Sequence, residues 1–172
     1  MKTKNLVLMA LLLGIGTILH AIIPGLISGM KNDMLLTMMF LGILLFPERK
    51  SVLVLGLATG VISAATTTFP GGQLANMIDK PVTAFAFFGL YLLVQRFGQS
   101  LITVGVLTAI GTMISGAIFL GAALVFTGLP GGAAFTGLFL TVVLPTAAVN
   151  TIAMVLIFPV VQSILKRTSF AF

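Results

Sequence analysis

The sequence predicts an all-α membrane protein with six transmembrane helices and both termini in the cytoplasm. Three observations predict it. Of 172 residues, 59% are hydrophobic and only 7% charged, and the mean hydropathy is +1.24. A soluble domain of this length exposes far more charge. No residue in 97–165 is charged, a stretch long enough for two spans of roughly 20 residues each and a connecting loop. Lys and Arg, finally, are spread unevenly about the apolar runs.

Those runs place helices at about 5–23, 32–46, 51–69, 81–96, 99–127 and 135–165. The first follows Lys2 and Lys4 and stops at Pro24-Gly25. It lacks an A-x-A-like cleavage site ahead of a soluble domain, so it reads as a membrane helix rather than a secretory signal. The second is short, with Asn32 or Asp33 available as its cap, and ends before Pro47-Glu48-Arg49-Lys50. The third stops at Pro70-Gly71-Gly72, Gly and Pro being the strongest local punctuation. The fourth is expected to open at Pro81, with Asp79 capping it. The fifth lies between Arg96 and the turn Gly128-Leu129-Pro130-Gly131-Gly132. The sixth contains Pro145 and Pro159 and is expected to kink or to start late. The chain reads as a single six-helix domain, 1–172.

Orientation follows the rule that cytoplasmic loops carry the basic residues. With the amino terminus inside, the inner face receives Lys2, Lys4, Arg49, Lys50, Arg96, Lys166 and Arg167, and the outer face only Lys31 and Lys80. The net charge of +6 is thereby explained by membrane orientation, not by nucleic acid. The outer loops are expected at 24–31, 70–80 and 128–134. Each outer lysine lies near an aspartate: Lys31 near Asp33, and Lys80 beside Asp79.

The segment 66–81, TTTFPGGQLANMIDKP, is a polar island between apolar runs. It brings Gln73, Asn76, Asp79 and Lys80 close together, and polar groups at membrane depth are costly enough to mark a site. An acid and a base side by side suit a zwitterion: Asp79 or Asp33 for an ammonium, and Lys80, Lys31, Asn76 or Gln73 for a carboxylate. The plainer alternative is that Asp79 and Asp33 only cap helices. Phe40, Phe69 and Phe85 offer apolar surface near the outer helix ends. His20 and Asn150 are two further polar positions, each read first as local hydrogen bonding or helix–helix glue and second as a ligand contact. TTTFPGGQLAN and FTGLPGGAAFT share a Pro-Gly-Gly turn, which serves either as two helix stops or as two lids over one site. Ala10 and Gly14 stand four apart on helix one, a spacing that lets another helix approach, from this chain or from a partner.

Absences narrow the function. The chain has no Cys and one His, so no disulfide, thiolate site or zinc chemistry is expected, nor any other cofactor. It has no P-loop motif for ATP hydrolysis and no acid expected at mid-membrane for a proton relay. It reads as a binder or carrier without its own motor, not an enzyme.

MKTKNLVLMAL at the start, GMKNDMLLTMMFLGILLFP at 29–47 and TTTFPGGQLANMIDKPVTAF at 66–85 resemble the substrate-binding S components of energy-coupling-factor (ECF) transporters. Specifically, they resemble the bacterial tryptophan-transport family, over essentially the whole chain. The resemblance implies six helices in the plasma membrane and a small nutrient, here tryptophan, bound near the outer surface under loops one, three and five. It also implies partners: an ECF transmembrane coupling subunit and two ATP-hydrolysing subunits. Small residues on helix one, matched here by Ala10 and Gly14, are implied as the docking face. A different aromatic amino acid or vitamin as cargo, a stand-alone secondary transporter and a non-transporting scaffold are the competing readings.

Overall fold

The computed structural model describes residues 3–22, 33–98 and 100–167. Every element among them is helical: α1 (Thr3–Ile22), α2 (Met34–Leu45), α3 (Arg49–Thr66), α4 (Gly72–Val94), α5 (Leu101–Phe126) and α6 (Phe135–Arg167). Five of the six are long and apolar enough to cross a membrane. α2, with 12 residues, rises only about 18 Å, short of a hydrocarbon core of about 30 Å.

α2 is the centre of the bundle. All of its residues are buried, and it touches each of the other five helices. That placement follows from its sequence, which is apolar around the whole circumference; such a helix has no face to give to water. Phe40 of α2 stacks on Phe87 of α4, with ring centroids 4.1 Å apart. Both belong to the main core, with Met154 and Phe158 of α6. Asp33 caps α2, its carboxylate accepting the Leu36 N–H at 3.0 Å.

α4 packs between α3 and α5. A Cβ on Gly56 of α3 would lie 3.0 Å from both the Pro81 Cα and the Ala84 Cβ of α4, so the glycine is what permits the close approach. α4 begins at Gly72, nine residues ahead of the expected start at Pro81. Pro81 therefore lies inside the helix, where neighbouring helices make an interior proline tolerable in a membrane bundle. From Gly72 on, the polar island is accordingly the first turns of a helix rather than an outer loop. Lys80 is no loop lysine, and Asp79 caps nothing.

The other boundaries fall near their expected places. A 3₁₀ turn at Gln95–Phe97 and Gly98 (φ 81°) end α4, and the Ser100 hydroxyl caps α5 through the Thr103 N–H. α6 does start at 135, but it carries a π turn over Phe139–Val143. There the Leu144 N–H reaches back five residues to the Phe139 carbonyl. Pro145, which has no N–H to give, follows at once.

Candidate functional site

α1, α3 and α5 end, and α2, α4 and α6 begin, around one cavity of about 120 Å³. All six helices contribute to it. α1 gives His20, the start of α2 gives Asp33 and Leu36, and α3 with its following turn gives Ser63, Thr67, Thr68 and Phe69. Asn76 and Lys80 come from α4, Thr112, Ser115, Gly116, Phe119 and Leu120 from α5, and Val142, Val143 and Thr146 from α6. Ten of the seventeen lining residues carry polar side chains, yet most of the surface they expose is apolar, a combination that suits a small polar molecule with an apolar part.

Its polar wall is built on helical spacing. Gly72, Asn76 and Lys80 recur every four residues and share one face of α4. The Lys80 ammonium donates to Asp33 Oδ2 at 2.6 Å and to Asp79 Oδ2 at 2.8 Å. Its third contact is the Ser115 Oγ at 3.4 Å, and Ser115 in turn donates to Asp79 at 2.8 Å. Thr83, one turn beyond Asp79, donates to the other carboxylate oxygen at 2.7 Å. Two of the three acids in the chain thus converge on one lysine.

Burial makes this network obligatory. Asp79 and Lys80 are 0% and 2% exposed, and charges so far from water need partners and hydrogen bonds. The Asp33 side chain keeps 21% of its exposure, so it is the member of the triad that faces the cavity most openly. With both carboxylates ionised, two negative charges meet one positive charge. Asp33 both caps α2 and pairs with Lys80 at the cavity wall; the two roles coincide in one side chain.

The apolar wall lies one turn away along α4. Phe69 and Phe119 meet edge to face, with ring centroids 5.1 Å apart, in a small cluster with Ala75 and Ala123. A Cβ on Gly72 would come within 3.1 Å of Phe69 and 3.4 Å of Phe119, so the glycine keeps the aromatic pair against α4. Above it, Gly71 adopts φ 70°, a conformation that glycine takes without penalty, and its Cα packs against the Thr127 side chain. The Pro-Gly-Gly turn after α3 and the end of α5 therefore touch.

The expected site residues separate into three groups. Asp33, Phe69, Asn76, Lys80 and His20 line the cavity. Asp79 and Asn150 stand one step behind it: Asp79 holds Lys80, and buried Asn150 donates to the Thr112 hydroxyl at 3.3 Å. Gln73 is exposed and off the cavity; one residue past Gly72 turns it about 100° around the helix. Lys31 lies outside the described residues. Of the other phenylalanines, Phe40 is in the core and Phe85 is 43% exposed on the outside of α4. Ala10 and Gly14 are exposed on α1, with nothing within 4 Å of a Cβ on Gly14; Gly16 is the glycine that packs inside, on Met38 and Leu35.

Sequence reasoning missed the α5 contribution. Its signal was available: Thr108, Thr112, Ser115 and Phe119 follow three- and four-residue spacing along one face of an otherwise apolar helix. Among the described residues, no group of three or more metal-ligating side chains comes together.

The family described as tryptophan transporter TrpP matches residues 2–166. A probable tryptophan transport protein of Bacillus subtilis is 57% identical over 170 residues, covering 99% of this chain and 97% of that protein. Proteins of the same description from Clostridium acetobutylicum and Clostridium perfringens are 40% and 39% identical, each covering 96% of the relative and at least 96% of this chain. No solved structure matches. The matches span the chain from end to end and take in every cavity-lining residue, and the chain belongs to the tryptophan transporter family TrpP, a family of transporters rather than enzymes.

Proposed function

We propose that this chain is the high-affinity tryptophan-binding S component of an ECF-type transporter in the bacterial plasma membrane. It spans the membrane with six helices, keeps both termini in the cytoplasm and takes tryptophan from outside. The single observation that carries the reading is a cavity with a charged triad on one wall and an aromatic pair on another. Asp33, the most open member of the triad, takes the ammonium, which offsets its excess negative charge. The carboxylate turns towards Lys80 and the hydroxyls of Thr67 and Thr146. The indole lies between Phe69 and Phe119.

Orientation is supported by the basic residues. Lys4, Arg49, Lys50, Arg96, Lys166 and Arg167 are exposed and sit at the helix ends remote from the cavity. By the positive-inside rule, that end is cytoplasmic and the cavity opens outward. An external energy source is supported by what the chain lacks. It has no P-loop, and Glu48, its only acid outside the triad, is exposed in the short α2–α3 turn. Release therefore falls to a coupling subunit and two ATP-hydrolysing subunits. Ala10 and Gly14, exposed and small, give α1 a face on which such a subunit can dock closely.

Binding is tested by calorimetry on purified protein, where tryptophan should bind below about micromolar, the equivalent of about −8 kcal/mol. Tight binding of another nutrient, with none of tryptophan, removes the substrate assignment. Coupling is tested in proteoliposomes, where uptake should require ATP and the partner subunits. Uptake by this chain alone on an ion gradient would make it a secondary transporter.

A further inference from the structure

We propose that Asn76 reads the indole N–H of the ligand, accepting it on the side-chain carbonyl oxygen, and so sets the preference for indole over other aromatic rings. The proposal rests on the tryptophan reading above and assigns one side chain within it.

Asn76 is only 6% exposed and lines the cavity. Its amide nitrogen donates to the Gly72 carbonyl at 2.9 Å. That contact fixes the orientation of the amide. A backbone carbonyl only accepts, so the group facing it is the NH₂, and Oδ1 faces away from it. Among the described residues no donor reaches Oδ1. The carbonyl oxygen of this nearly buried side chain, at a cavity wall and without a donor among the described residues, is an acceptor open to a ligand N–H.

Position selects which N–H. Asn76 lies between the two walls on the face of α4 that carries Gly72 and Lys80. Lys80, which holds Asp33, is four residues, about 6 Å of helix rise, to one side. Gly72, with Phe69 and Phe119 against it, is one turn to the other. A zwitterion seated at Asp33 and Lys80 with its ring at the aromatic pair passes Asn76 at the junction of side chain and ring. The ammonium already has a carboxylate, so the donor left without a partner is the ring nitrogen. Ser63 and Thr146 also border the cavity, but a hydroxyl rotates and takes a donor or an acceptor alike, so neither discriminates. A site built to pair a ligand N–H rejects the analogue that lacks it, because its own acceptor is then stranded.

The test compares tryptophan with 3-benzothienylalanine, in which sulfur replaces the ring N–H at nearly the same shape. Calorimetry on the purified wild type should show tryptophan bound at least tenfold more tightly. Asn76→Leu should abolish that preference by weakening tryptophan while sparing the analogue, and Ser63→Ala should keep it. Persistence of the preference in Asn76→Leu, or its absence in the wild type, overturns the proposal. A second measurement needs no variant. The chain contains no Trp, so tryptophan labelled with ¹⁵N at the ring is the only indole in the sample. Its bound N–H proton should move downfield as a hydrogen-bonded group does, and a shift typical of a free indole N–H overturns the assignment even if every variant misfolds. A wild type that binds the analogue but not tryptophan overturns the substrate reading, and this proposal with it.

Discussion

Asp33, Lys80 and Asp79 form one charged triad, but its members stand in different surroundings. Asp33 borders the cavity, whereas Asp79 is packed behind Lys80 on Thr83 and Ser115. Asp33→Asn should therefore lower tryptophan affinity about tenfold to a hundredfold, the worth of a charged hydrogen bond of about 1.5–3 kcal/mol. Asp79→Asn should cost less affinity, because its effect reaches the ligand only through the position of Lys80. Equal losses in the two variants, measured by calorimetry, would remove this division of labour. Lys80→Ala strands two carboxylates and should destabilise by about 3–5 kcal/mol, visible as a lowered unfolding temperature in detergent. Elsewhere, the Thr59 hydroxyl is buried with no hydrogen-bond partner among the described residues. Thr59→Val, of nearly the same shape, should leave the protein as stable or more so, since an unsatisfied buried group costs about 1–3 kcal/mol. A fall in unfolding temperature would reveal a partner for that hydroxyl.

At the scale of elements, close helix approach is the main device. α3 and α4 meet where Gly56 faces Pro81 and Ala84, and with lipid as apolar as the side chains it is such packing that holds membrane helices together. Gly56→Val should push α3 from α4 and destabilise by about 1–3 kcal/mol, a typical overpacking cost. Because Lys80 and Asn76 ride on α4, tryptophan binding should weaken in the same variant, and unchanged stability would show that α3 is free to shift. The boundary of α4 was the element least legible in the sequence. A Pro after Asp-Lys reads as a helix start in an isolated segment, whereas packing against α3 carries the helix straight through it. The shortness of α2 was legible, whereas its place at the middle of the bundle emerged only from the packing. The π turn of α6 was foreshadowed only by Pro145, which suggested an irregularity without saying which kind.

At the scale of the whole molecule, the cavity and the exposed small face of α1 occupy different surfaces. Binding and coupling should thus be separable. Gly14→Leu should keep tryptophan affinity within about twofold of wild type, as surface changes away from buried features cost within about 0.5 kcal/mol, while lowering ATP-dependent uptake with the partner subunits present. A variant that transports normally would place the docking face elsewhere. The comparison is cleanest in proteoliposomes, where binding and uptake are read on the same preparation.

The sequence by itself determined the solvent of this protein, its helical class, most helix ends and the polar segment that lines part of the cavity. Hydropathy, Gly-Pro punctuation and scarce charge act locally along the chain and survive without a fold. It did not determine who pairs with whom. Lys80 reads as the partner of its neighbour Asp79, and Lys31 as the partner of Asp33; only the assembled bundle sets Asp33 of α2 on Lys80 of α4. Nor did it separate Gln73 from Asn76, polar neighbours in one motif, until helical winding turned one outward and the other into the cavity. Buried charges are satisfied by whatever the tertiary structure brings within reach, and that reach is a property of packing rather than of order along the chain.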